Sequence, residues 1–303
     1  MIVADLSPQQ LQRQLAGRGI RLRTGPLVAQ IRSRVRSVID GIALHYRDYP
    51  LGESDGFADF DVCVDAPANL RRWAKPQAHF FFDGRSPFTP LPLDQAFAML
   101  EWGLNWCVSA HCHQYLIFHA AVVERGGRAA VLPAPAGSGK STLCAGLIHR
   151  GWRLLSDELA LIDFASCTIV PMPRPVSLKN GSIDVIRAFA PTAAIGPAVH
   201  DTIKGSVAHM RSPGDSVFRA LELAKPRWIV FPRYRSGARA VLTSLPKERA
   251  FMQMAGNAFN YGIHGRRGFE LLTGFVDRCG CYEFEYADLD EAAALFDDLA
   301  GDR

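Results

Sequence analysis

Ala134-Pro135-Ala136-Gly137-Ser138-Gly139-Lys140-Ser141-Thr142 decides how the rest of this chain is read. The apolar run Ala129-Ala130-Val131-Leu132 leads straight into it and the stretch Ser141 to Arg150 follows as a helix, so the glycines sit where a strand hands over to a helix. A polyphosphate is best held by several backbone N–H groups converging at the positive end of a helix, with one lysine bridging the terminal phosphates. Gly137 and Gly139 allow that close approach, Lys140 is the phosphate lysine, and the Ser141 hydroxyl is placed to ligand Mg²⁺. Ala136, Ser138 and Thr142 complete the expected binding loop. The usual pattern opens with Gly where this chain has Ala134, which can occupy most of glycine's conformations.

Outward from the loop the order of elements is regular. Leu116 to Val123 reads as a strand, Glu124-Arg125-Gly126-Gly127-Arg128 as a hairpin turn, and Ala129 to Leu132 as the second strand. Beyond the helix, Gly151 ends it and Trp152-Arg153-Leu154-Leu155 returns as a strand that delivers Ser156-Asp157-Glu158. A carboxylate at the end of such a strand can hold Mg²⁺ or take a proton from an attacking hydroxyl.

Phe118-His119-Ala120, the loop through Lys140-Ser141, and Arg150-Gly151-Trp152-Arg153-Leu154-Leu155-Ser156-Asp157-Glu158 together resemble the kinase domain of HPr kinase/phosphorylase, and more closely the bacterial HPr-kinase-related kinases. The resemblance covers roughly Leu116 to Asp163. It implies an α/β P-loop kinase core of the HPr kinase and phosphoenolpyruvate carboxykinase type, with ATP and Mg²⁺ as cofactors. It implies Asp157 as general base, His119 beside it to tune its proton affinity, and Glu158 with Ser141 at the metal. Hexamers occur in the resembled family, so a homo-oligomer is a possibility. Downstream the chain departs from the family, since no Glu-x-Arg-Gly segment is found and Pro171 to Lys179 with Asp184 occupy that region. Neither a phosphorylase activity nor HPr itself as acceptor is therefore implied.

The first third reads as mixed, rich in strand. Leu27 to Tyr46 alternates apolar Leu27, Ala29, Ile31, Val35 and Ile39 with polar residues, including Arg32, Arg34 and Arg36 on a solvated face, and a hairpin turn is expected at Asp40-Gly41. Phe57 to Val64 and His79 to Phe82 are further strands, and Leu93 to Ala110 is a helix with a broad apolar surface. A boundary near that helix divides the chain into residues 1–110, a smaller mixed α+β region, and 111–303, the catalytic domain. Within the latter, Pro173 to Lys179 and Val199 to Ser206 read as loops whose Lys179 and Lys204 can reach the nucleotide or acceptor, and Asp288 to Asp298 reads as an amphipathic packing helix.

Bulk properties restrict the function classes. A net charge of +4 over 303 residues, with basic residues scattered, gives no footprint for nucleic acid or a membrane surface. No apolar run approaches the roughly 20 residues of a membrane span, and the Gln-rich start from Met1 to Gln14 is unlike a signal peptide, so the cytoplasm is the expected place. Seven cysteines without a CxxC pair argue against a disulfide framework, and the neighbours His111-Cys112-His113 cannot close a zinc tetrahedron by themselves. The expected reaction is transfer of a nucleotide's terminal phosphoryl group to a hydroxyl acceptor, a serine of a small protein or peptide. A small-molecule kinase using the same loop and a nucleotide-binding regulatory protein with weak hydrolysis are the alternatives.

Overall fold

The computed structural model describes residues 1–53, 56–67, 74–135 and 137–301. The chain is a mixed α/β protein. Its first part forms a five-stranded sheet, β1 (Ile20–Thr24), β2 (Leu27–Arg32), β3 (Phe60–Asp65), β4 (Gln77–Phe82) and β5 (Leu91–Pro92), in that order. Helices α1 (Pro8–Ala16), α2 (Arg36–His45) and α3 (Ala96–His111) pack with it, and their shared core reaches Ile117, Leu159, Leu161 and Met172 of the later chain.

The main sheet has eight strands. β6 (Tyr115–Arg125) turns at Gly126-Gly127 into β7 (Arg128–Pro133); α4 (Lys140–Ile148) follows the glycine loop, and the chain returns as β8 (Arg153–Ser156), β9 (Leu159–Asp163) and β10 (Ile169–Val170). β11 (Val176–Lys179), α5 (Ser182–Phe189), β12 (Val199–Thr202), β13 (Gly205–Met210) and α6 (Gly214–Phe218) come next, then β14 (Lys225–Tyr234), β15 (Val241–Ser244), α7 (Lys247–Gly256), α8 (Tyr261–Arg278), β16 (Gly280–Tyr286) and α9 (Leu289–Gly301). The sheet runs β10-β9-β6-β7-β14-β16-β15 with β8 also on β6, while β11, β13 and β12 form a separate antiparallel sheet. β7, β14 and β16 are mutually parallel, so their carboxyl ends share one edge.

Alternating residues of β6 explain why it is apolar along nearly its whole length. Phe118, Ala120 and Val122 pack under α7 and α8, whereas Ala121 and Val123 pack under α4 and α9. A strand covered on both faces needs apolar groups on both.

Two stretches differ from the sequence reading. Val35, Ile39 and Asp40-Gly41 belong to a helix, α2, and not to a strand and hairpin. A spacing of four residues satisfies both a period of 2 and a period of 3.6, so Val35 and Ile39 continue the true alternation of β2 without being strand. Gly41 lies mid-helix because α2 meets α3 there; a Cβ would stand 2.2 Å from the Phe97 ring. Arg32 alone of the three arginines is on the strand, and all three pair with carboxylates: Arg32 with Asp61, Arg34 with Asp65, Arg36 with Asp40. The second difference is Pro173 to Lys179 and Val199 to Ser206, which form much of the three-stranded sheet; Val176 and Leu178 face the core under α4. Lys204 lies in the turn between β12 and β13.

Candidate active site

The register of β6 brings the chemistry together. Ala120 opposes Pro133, the last residue of β7, while on the other edge Val122 opposes Ser156 and His119 opposes Leu159. The glycine loop and the Asp157-Glu158 pair therefore leave the sheet at one end, on either side of β6. β8 and β9 both pair with this same edge, and the acids occupy the break between them. Such an interruption of a ladder re-aims side chains that would otherwise alternate across the sheet.

The loop is pinned from behind. Tyr286 Oη donates to the Gly139 carbonyl at 2.8 Å, and the Tyr234 amide donates to the Ser138 carbonyl at 2.9 Å. Gly139 has φ +89°, and a Cβ there would meet Tyr286 Oη at 2.6 Å. With those carbonyls engaged, the first-turn amides of α4, from Lys140 to Thr142, have no intrahelical acceptor and carry the positive end of the helix dipole. Ser141 and Thr142 stand in that turn. Gly137 is also left-handed, at φ +86°, with open space around it, whereas Ala136 lies outside the described residues.

Lys140 is only 6% exposed, so it does not face solvent as a free loop lysine would. Its Nζ has no hydrogen-bond partner among the described residues. Burial lowers the pKa of this ammonium, against the pull of Glu158 and Asp157. A buried cation that feels the charge of two carboxylates, stands at the first turn of a helix with free amides and has no hydrogen-bond partner among the described residues is suited to an anion that brings several oxygens.

The two acids live in different surroundings. Asp157 is 3% exposed; its Oδ2 accepts the Ser177 amide at 3.0 Å and its Oδ1 has no partner among the described residues. Burial, with repulsion from Glu158, pushes its pKa up to about 6, against the attraction of Lys140 and Lys179. The Glu158 side chain is 19% exposed, and its Oε2 accepts from His119 Nε2 at 3.1 Å while Lys179 Nζ lies 3.4 Å from Oε1. Burial alone would raise Glu158; the His119 hydrogen bond and the charges of Lys179 and Lys140 outweigh it and hold the carboxyl well below the ordinary range. His119 thus sits against Glu158, not Asp157, because its strand partner is Leu159 and the nearer acid is the adjoining residue.

Residues that sequence reasoning left out complete the frame. Arg174 is buried and bonds Glu101 Oε2 at 2.6 Å and Asn105 Oδ1 at 2.8 Å, both on α3, while Tyr46 Oη of the residue capping α2 donates to Glu101 Oε1 at 2.6 Å. This ties the N-terminal helices to the segment that leads into β11 and its Ser177. No spacing motif marks Arg174 or Ser177; both lie in the segment Pro173 to Lys179, of which the sequence singled out Lys179 alone.

On the far side of the loop a groove of about 840 Å³ opens at the carboxyl ends of β7, β14 and β16, lined by Ser138, Tyr234, Gln253, Asn257, Glu283 and Glu285 among others. Among the described residues no helix is long and apolar enough to cross a membrane, and no cluster of three or more His, Cys, Asp or Glu could hold a metal unaided.

No protein-family model matches the chain, and no curated protein does. Among solved structures it is similar to the Hpr(Ser) kinase/phosphatase from Coxiella burnetii, at 12% identity over 62% of this chain and 99% of that one, with a TM-score of 0.28. Likeness at that level assigns neither fold nor activity.

Proposed function

We propose that the chain is an ATP- and Mg²⁺-dependent kinase that transfers the nucleotide's terminal phosphoryl group to a hydroxyl acceptor, a serine of a small protein or peptide. One observation carries the reading. A buried lysine with no hydrogen-bond partner among the described residues follows the glycines of the loop and feels the charge of two carboxylates whose proton affinities are driven apart, one up to about 6 and one well below the ordinary range. Two acids separated in this way divide into one that can exchange a proton near neutrality and one that stays charged.

In this reading Lys140 and the amides of Gly137 to Thr142 hold the phosphates, and the groove beside Ser138 takes the ribose and base. Ser141 and Glu158 offer the hard oxygen donors that Mg²⁺ takes alongside phosphates and water, so the residues fit the ion. When bound, it would neutralise charge on the transferring group. The acceptor oxygen bonds to the γ-phosphorus as the bond to the bridging oxygen breaks, ADP leaves, and the hydroxyl proton passes to Asp157. His119 and Lys179 keep Glu158 ionised. Phe259, half-exposed with its ring 6.1 Å from that of His119, offers an apolar shelf for a polypeptide acceptor beside the acids.

A second assignment has its own support. Glu158 is the more exposed acid and carries the histidine, which would suit it as the base, with Asp157 structural. Incubation with γ-labelled ATP, Mg²⁺ and cell extract tests the function: label is expected in a small protein or peptide as acid-stable seryl phosphate. Label confined to metabolites would point to a small-molecule kinase, and phosphate release with no labelled acceptor would point to a regulatory nucleotide-binding protein.

A further inference from the structure

A cavity of about 20 Å³ lies beside Asp157, lined by Trp102, Ser177 and His209 among others. Room for a water molecule begins at about 10–15 Å³, so this space suits one and excludes a larger ligand. Its walls come from separate places in the chain: α3, the break between β8 and β9, and the neighbouring strands β11 and β13. Ser177 and His209 are direct cross-strand partners, so their side chains share one face of that small sheet.

Each of these four residues has a buried polar atom with no hydrogen-bond partner among the described residues: Trp102 Nε1, Asp157 Oδ1, Ser177 Oγ and His209 Nε2. Four such atoms around one space is unusual, because buried polar groups are normally satisfied. Their chemistry is complementary to water. The carboxylate oxygen only accepts, the indole only donates, and the hydroxyl does either. Burial drives His209 down to about 3, so its ring is neutral and its Nε2 can serve in one direction. Lys204 Nζ lies 5.0 Å over the Trp102 ring and steadies the indole.

We infer that this cavity holds one ordered water joining Trp102, Asp157, Ser177 and His209, which makes Trp102, Ser177 and His209 positioning residues for Asp157. The Ser177 amide holds Oδ2 and the water holds Oδ1, so both oxygens of the carboxylate are fixed and its plane is set. The water site stands on geometry alone; the positioning role rests on the kinase reading. By this arrangement α3, from the N-terminal part of the chain, supplies a donor to the site.

A crystal structure of the full chain tests the site without any assay. One solvent peak is expected within hydrogen-bond distance of Asp157 Oδ1 and at least two of the other three atoms, and a cavity closed by direct side-chain contact, or one without a peak, overturns the inference. Transfer from γ-labelled ATP tests the role. Ser177→Ala and Trp102→Phe should each lower kcat about 3- to 10-fold with nucleotide Kd changed less than about twofold, the usual scale of one lost hydrogen bond. Because both act through the same water, the double variant should be hardly slower than the slower single; losses that multiply, or no loss in either single, overturn it. His209→Gln, which keeps a polar atom near the Nε2 position, should retain activity that His209→Leu loses. Should the wild-type chain transfer phosphate to nothing, the kinase reading fails and the solvent peak still decides the water site.

Discussion

On one flank of the glycine loop the molecule is closed, and on the other it is open. Toward β8 and β9 stand Asp157, Glu158, His119, Lys140 and Lys179, packed closely enough that burial and mutual charge move the proton affinities of the two acids in opposite directions. Toward β14 and β16 lies a wide groove with Glu283 and Glu285 on its wall and Tyr234 and Gln253 beside them. A closed, preorganised flank suits the place where charge develops during reaction, since fixed groups of low exposure act more strongly there than in water. An open flank suits binding of a nucleoside, where contacts are many and individually small. In the proposed reading the difference teaches that a single loop can face two tasks because the sheet on each side of it is built differently.

The largest expected effect breaks the closed flank. Asp157→Asn keeps the shape and removes the proton acceptor, so phosphoryl transfer should fall about 10²- to 10⁴-fold while nucleotide affinity changes little. The sign of the pH dependence follows from the raised pKa. A base must be deprotonated, so wild-type transfer should rise with pH through about 6 and level off above it, and the rise should vanish in Asp157→Asn. A rate flat through that window would shift the base to Glu158, which is held ionised far below it. Lys140→Ala comes next. Loss of the buried ammonium should weaken nucleotide binding by about 10- to 100-fold, the range of charge-assisted hydrogen bonds, as read by calorimetry. Lys140 lowers the Asp157 pKa, so any residual transfer in Lys140→Ala should have its rise moved to higher pH.

A smaller effect is expected from His119→Ala. Its hydrogen bond is the leading influence that lowers Glu158, so its removal should raise the Glu158 pKa and reduce transfer about 3- to 10-fold, with the loss deepening as the pH falls. An equal loss at all pH would mean that His119 acts only by packing. The smallest effect sharpens the comparison from the open side. Glu285→Gln, or Thr243→Ala on β15 in the same groove wall, should change nucleotide affinity only about 2- to 5-fold and leave kcat untouched, but should alter the preference between ATP and GTP. A large fall in kcat from either variant would erase the distinction between the flanks.

Much of this site was legible along the chain, and the reason lies in its locality. From Tyr115 to Asp163 each element is followed by its spatial neighbour, so turn glycines, apolar runs and the loop itself report the local order directly. The stretch from Leu27 to His45 was harder because its four-residue spacings fit strand and helix alike, and Gly41 looked like a turn residue when it is the contact point with Phe97. The strands of the small sheet were hidden for another reason: Pro171, Pro173 and Pro175 precede β11, and the charged Asp201 and Lys204 lie in β12 and in the turn to β13, so a loop was the natural reading.

Sequence by itself determined that a glycine loop joins a strand to a helix, that one lysine and one serine open that helix, and that two adjacent acids end a returning strand, because these depend on residue type and short-range order. Tertiary structure decided which acid is which. Asp157 lost its exposure to Ser177, Trp102 and His209, and Glu158 gained His119 and Lys179, partners between 20 and 55 residues away that no spacing along the chain connects. Proton affinity is set by burial and by charges a few ångströms off, and both are properties of packing.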